Sequence, residues 1–252
     1  MAVARGSESY ITDAAPVTAR GYQYAHHELN AARANEIPAL LEDAQGHAEL
    51  TDFCDSLALT GFGDDVLKET LQPIAEEGHS KGWREGEALA EAWLTAHRAC
   101  EFPWPFNRDL RHHRASLPGA ELVGICSIAP AEYLLALGQV KTSKEKKQPP
   151  QVVGKKTNGL VAQMMELREN GDLKKTLVRY LAHRASSFPT ASWVAKFRLA
   201  LTKYCDSGKL AVAIFGVLVR DVAANALDLS GAAQTLATGC HALTRMELVA
   251  IY

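Results

Sequence analysis

Two β-rich apolar segments, ELVGICSI at 121–128 and EYLLALGQVKTS at 132–143, are separated by a tight connection that contains Pro130. Two extended segments so close in the chain read as neighbouring strands, most simply as a hairpin. Side chains alternate along a strand. Tyr133, Leu135, Leu137, Gln139 and Lys141 therefore share one face, and Leu134, Ala136, Gly138 and Val140 share the other. Gln139 and Lys141 project together from the end of an otherwise apolar strand. Glu121 opens the preceding strand, just after Pro118 and Gly119. Pairing of the two strands would bring a carboxylate, an amide and an ammonium to one sheet edge.

The rest of the chain supplies helices and two more strands. The segment 83–99, WREGEALAEAWLTAHRA, has good helix formers and an apolar stripe at Leu89, Ala92, Trp93 and Ala96. The two prolines of FPWPFNRD end it. Helical sequence returns over 158–186 with a break at Gly171, and again over 191–206. LAVAIFGVLVR at 210–220 and RMELVAIY at 245–252 read as strands, with a helix between them. Trp193, Phe197 and Tyr204 recur at helical spacing and are expected in the core. The first sixty residues are mixed, with short helices expected at 36–43 and 48–57 and another from Asp64 or Asp65 to about Glu77. The expected fold is α/β, a mixed central sheet flanked by helices. Residues 1–80 are expected to be a mostly helical N-terminal extension, and residues 81–252 the core.

At 252 residues and 47% hydrophobic, the chain can close a sizeable core. Its longest apolar run, 210–219, lies between Lys209 and Arg220 and is about half the length of a membrane-spanning helix. No apolar N-terminal segment suggests a secretory signal, so a cytoplasmic location is expected, with no membrane partner. The five cysteines, at positions 54, 100, 126, 205 and 240, have no CxxC spacing. They are expected to be buried small hydrophobes rather than zinc ligands. The net charge of −2 does not mark a nucleic-acid binder. Locally, however, Lys141, Lys144, Lys146, Lys147, Lys155 and Lys156 are opposed only by Glu145 within 141–156. Arg108, Arg111 and Arg114 form a second basic segment that could grip phosphates.

The pattern GAELVGI followed by LLALGQVKTS resembles the core of the PD-(D/E)xK nucleases, the restriction-endonuclease-like superfamily. In that family an acidic residue starts one strand and a carboxylate–x–lysine follows on the next. Glu121 stands at the first position, Gln139 at the second carboxylate and Lys141 at the lysine. The family often adds a glutamate from the preceding helix, where GEALAEAWL carries Glu87 and Glu91 one turn apart. The order of a GE-containing helix, NRDLRHHR, PGAELVGI, GQVKTS and RMELVAIY is also similar to the HamA-like nuclease subunits of Hachiman antiphage defence. These resemblances imply phosphodiester hydrolysis of DNA with Mg²⁺ or Mn²⁺, in antiviral defence, beside a helicase-like partner. They imply Glu121, Gln139, Lys141 and Glu87 or Glu91 as the site. Lys144, Lys146, Lys147, Arg108, Arg111 and Arg114 would meet the nucleic acid.

Gln139 departs from the pattern. Glutamine offers a carbonyl oxygen but no negative charge, and a hard divalent cation favours charged oxygen ligands. A substitution that traps a bound state, a branch that has lost catalysis, and catalysis by the remaining carboxylates are all open at this level. Two alternatives to a DNA nuclease stand beside it: a non-catalytic nucleic-acid-binding or assembly module on the same fold, and a metal-dependent ribonuclease.

Overall fold

The computed structural model describes residues 3–41, 82–103 and 119–252. In chain order the first elements are β1 (Ser7–Ala14), β2 (Val17–Gln23), α1 (His26–Ala34), α2 (Glu36–Leu41), α3 (Gly82–Arg98) and β3 (Cys100–Glu101). They are followed by β4 (Leu122–Ala129), β5 (Glu132–Ser143), α4 (Leu160–Glu169), α5 (Gly171–Ser187) and α6 (Ser192–Asp206). β6 (Val212–Arg220), α7 (Ser230–Ala237) and β7 (Thr244–Ile251) complete the order. The strands form one seven-stranded mixed sheet in the order β1-β2-β7-β6-β5-β4-β3. Helices flank it, as an α/β chain requires.

β4 and β5 pair antiparallel from Leu122–Gly138 to Ala129–Glu132. β5, β6 and β7 are parallel neighbours. The apolar run of β6 places it at the sheet's centre, where a strand is covered on both faces. On one face, Val123, Ile125, Leu135, Leu137 and Ile214 pack with Met164 of α4, Leu177 of α5 and Phe197 of α6. Trp193 and Tyr204 are buried in this same core. On the other, Leu134, Ala136, Val140 and Val217 pack with Leu89, Trp93 and Leu94 of α3, and with Ala32 and Ile37 of α1 and α2. Gly86 lets α3 approach the sheet closely, because a Cβ there would lie 2.2 Å from Thr142 Cγ2 on β5.

Several local features differ from the sequence reading. Within the expected helical extension, residues 7–23 form the antiparallel hairpin β1–β2, and β2 joins β7 in parallel. β1 is polar and exposed along most of its length. β2 contains only seven residues, among them Arg20 and Gly21, so neither strand shows an apolar run. Burial of Val17, Ala19 and Tyr22 nevertheless secures β2, and these contacts depend on β7 at the far end of the sequence. The helical break falls at Asn170 rather than Gly171: its side chain accepts from the amides of Asp172 and Leu173 and caps α5. Cys100 and Cys126 are buried, but Cys205 is exposed and Cys240 only partly covered. Cys205 follows the buried Tyr204 on α6, which turns its own side chain outward. Cys54 and the helices expected at 48–57 and 64–77 lie outside the described residues. Among the described residues no helix is long and apolar enough to cross a membrane.

Candidate active site

Where β4 stops pairing with β5, a backbone amide loses its strand partner and a side chain takes its place. The Glu121 amide still donates to the Gly138 carbonyl at 3.1 Å. Its carboxylate then turns to β5: Oε2 accepts from the Val140 amide at 3.3 Å, and Oε1 pairs with Lys141 Nζ at 3.3 Å. The two side chains are only 12% and 16% exposed, so water screens the pair less than it would at the surface. Burial raises the Glu121 pKa, and the Lys141 ammonium opposes the rise.

Gln139 is buried at 2% exposure. Its Nε2 donates to the Gly119 carbonyl at 2.8 Å, while Oε1 is buried without a hydrogen-bond partner. Gly119 adopts φ +93, and a Cβ there would lie 2.1 Å from Leu173 Cδ1 on α5. Only glycine suits this turn, which both delivers Glu121 to the strand end and presents the carbonyl to Gln139.

The two helix glutamates are not equivalent. Burial lifts the Glu87 carboxyl to about 8, the negative charge of Glu121 adds to the rise, and Lys141 and Arg84 oppose it. Its Oε2 is buried without a partner. Burial alone lifts Glu91 to about 7. Glu87 is thus electrostatically joined to the Glu121–Lys141 pair, whereas Glu91, a turn further along α3, stands apart from it. Helical spacing put both on one face; the close approach at Gly86 decides which of them is nearer the end of β5.

Lys144, Lys146 and Lys147 follow β5 and are exposed, as are Lys155 and Lys156. Their loop is held from beneath by Arg220, at the end of β6. Arg220 Nη2 donates to the carbonyls of Glu145 and Lys147, the latter at 3.1 Å. Its Nη1 lies 2.6 Å from both oxygens of Asp228, and neither side chain of this pair has any exposure. The Tyr252 hydroxyl donates to Asp228 Oδ2 at 2.7 Å, and the Tyr10 hydroxyl stands 3.1 Å from that of Tyr252. Asn225 Nδ2 donates to Gln148 Oε1 at 2.7 Å and ties the loop again. Sequence reasoning missed Arg220 and Asp228. The one signal was an arginine closing an apolar strand, which reads equally well as a solvent-facing terminus.

Arg108, Arg111 and Arg114 lie outside the described residues. Among the described residues no group of three or more His, Cys, Asp or Glu side chains is arranged to hold a metal ion. At this site the described chain supplies two carboxylates, Glu121 and Glu87, and the amide of Gln139. No protein-family model matches the sequence, and no curated protein matches it significantly.

Proposed function

We propose that this chain is a metal-dependent DNA nuclease of the PD-(D/E)xK type, an effector of antiviral defence whose catalysis Gln139 silences. The observation that carries the reading is the Glu121–Lys141 pair, 3.3 Å apart where β4 and β5 stop pairing. Gln139 precedes Lys141 on the same strand face, and Glu87 feels the charge of both members of the pair.

The oxygens available suit a hard divalent cation. They are the Glu121 carboxylate and two buried atoms without partners, Glu87 Oε2 and Gln139 Oε1. Mg²⁺ or Mn²⁺ bound there would supply a water of lowered pKa and neutralise charge on the phosphate. Glu121 and Glu87 would hold the ion, and Gln139 would add a neutral carbonyl oxygen. Lys141 Nζ would orient the attacking water and stabilise charge developing on the phosphate. Glu87, whose carboxyl is raised to about 8, would give up its proton to hold a cation. Without a charge at position 139 the site would hold such an ion more weakly.

One observation favours a second reading, a non-catalytic nucleic-acid-binding module. Gln139 Nε2 donates to the Gly119 carbonyl, a bond that an ionised carboxylate at this position could not make. The decisive comparison is of the native chain, Gln139→Glu and Gln139→Glu/Lys141→Ala on labelled plasmid, single-stranded DNA and RNA with Mn²⁺. Cleavage gained in the first variant and lost in the second supports the nuclease, and the substrate cut separates DNA from RNA. Nucleic-acid binding without cleavage in any variant supports the module. The helicase-like partner is tested by co-purification from the native operon; its absence from the recovered complexes would remove that part of the proposal.

A further inference from the structure

Two helices on the same face of the sheet differ in how many of their cations are paired, although Arg198 of α6 is exposed and, among the described residues, also makes no ion pair. On α6, Lys196 pairs with Glu101 at 2.5 Å and Lys203 with Glu132 at 3.1 Å. On α5, Lys175, Arg179 and His183 recur every four residues and are all exposed. Among the described residues, neither Lys175 nor Arg179 makes an ion pair.

Four-residue spacing puts these three side chains on one helix face, roughly 6 Å apart along the axis. Lys175 and Arg179, like charges so placed, disfavour the helix. Lys175, close to the N-terminus of α5, also faces the positive end of the helix dipole. The only acidic residue of α5 is Asp172 in its first turn. The neighbouring Lys174 is buried, with Nζ donating to the Arg168 carbonyl at 2.7 Å, so it fastens α5 to the end of α4 instead of joining the exposed row. The first turn of α5 lies beside the candidate site, since a Cβ on Gly119, whose carbonyl accepts from Gln139, would meet Leu173; Lys175, two residues on, lies on the other side of the helix.

We infer that the exposed face of α5 is a track for the phosphate backbone of the DNA strand that reaches the Glu121–Lys141 site. This assignment rests on the nuclease reading above. Two exposed cations one turn apart without acidic partners, Lys175 and Arg179, fit a polyanion of regularly repeating charge, and they would hold the strand without regard to sequence.

The test is fluorescence anisotropy of the full chain on labelled single-stranded and duplex DNA over a series of salt concentrations. The native chain is compared with Lys175→Ala/Arg179→Ala and with Lys196→Ala, a cation already paired on α6. Loss of two phosphate contacts should lower the slope of log K against log salt by about 1.4 for a single strand and about 1.8 for a duplex. At about 0.1 M salt this corresponds to a roughly 25- to 60-fold loss of affinity. Lys196→Ala should change neither quantity. Thermal melting confirms that each variant is folded.

An α5 variant that keeps the native slope and affinity overturns the inference. So does a DNA-binding defect no larger than that of Lys196→Ala. Vesicles of phosphatidylserine and phosphatidylcholine form a separate arm: binding to them that needs Lys175 and Arg179, without DNA binding, would assign the face to a membrane and overturn the inference. Cleavage is scored separately in the Gln139→Glu background. Cleavage that survives while α5 proves irrelevant to DNA binding overturns this inference alone. Absence of both cleavage and DNA binding in every protein overturns the nuclease reading with it.

Discussion

Replacing Asp228 with alanine removes the one carboxylate that, among the described residues, pairs with Arg220, a guanidinium that has no exposure. Arg220 Nη1 loses both 2.6 Å contacts, and the Tyr252 hydroxyl loses its 2.7 Å acceptor. Stranding one member of a buried ion pair costs about 3–5 kcal/mol. The Tyr252 hydroxyl keeps the Asn225 carbonyl, 3.1 Å away, as an acceptor and adds little. Arg220 retains the carbonyls of Glu145 and Lys147, which keeps the total near the middle of that range. For a chain of this size each kcal/mol moves the melting temperature by roughly 2–4 °C. Asp228→Ala should therefore melt about 8–16 °C below the native protein. Urea denaturation followed by circular dichroism gives the free energy, and a thermal scan gives the shift. A loss below about 1 kcal/mol would refute the reasoning, since it would mean that water reaches and solvates the guanidinium. A second variant, Arg220→Met/Asp228→Leu, separates the two roles of Arg220. Apolar replacement of the whole pair should restore most of the stability. The Glu145 and Lys147 carbonyls would still lack their donor, so the proposed DNA binding through Lys144, Lys146 and Lys147 should weaken although all three lysines remain.

Glu87→Gln reports on the buried carboxyl. The native Glu87 pKa is raised to about 8, so the folded state holds a proton that the unfolded state releases between about pH 4.5 and pH 8, and stability falls as pH rises through that window. The glutamine variant lacks this loss. Its stability relative to the native chain should improve steadily from pH 5 to pH 8 in urea titrations, and a flat difference would contradict the assignment. Cys100 and Cys126 are direct cross-strand partners between β3 and β4, and both thiols donate to the Arg98 carbonyl. Hydrogen peroxide should join them in a disulfide, the peroxide leaving as two waters. Peptide mass spectrometry would detect the crosslink, and modification of the exposed Cys205 without any Cys100–Cys126 linkage would contradict it.

What the sequence disclosed depends on how local the determining contacts are. β5 matches 132–143 because its ends are marked by Pro130 on one side and the lysine-rich turn on the other. The short connection to β4 fixes the register, and with it the meeting of Glu121 and Lys141. The hairpin at 7–23 was hidden because β2 is stabilised by β7 rather than by its own composition. Helical spacing placed Glu87 and Glu91 together, but only the contact between Gly86 and Thr142 distinguishes them. Arg220 and Asp228 were missed because a charged pair reads as surface until tertiary structure closes around it. Cys205 shows the reverse error: an average tendency toward burial says nothing about which side of α6 a given residue occupies.

The placement of β7 has a consequence for the order of assembly during synthesis. β7 lies between β2 and β6, so the hairpin that leaves the ribosome early has no sheet to join until a strand made much later arrives. The Tyr10 and Tyr252 hydroxyls that meet beside Asp228 are 242 positions apart. Contacts over such separations form slowly. The anchor beneath the basic loop therefore completes late, and a nascent chain exposes its lysines before it can hold them in place.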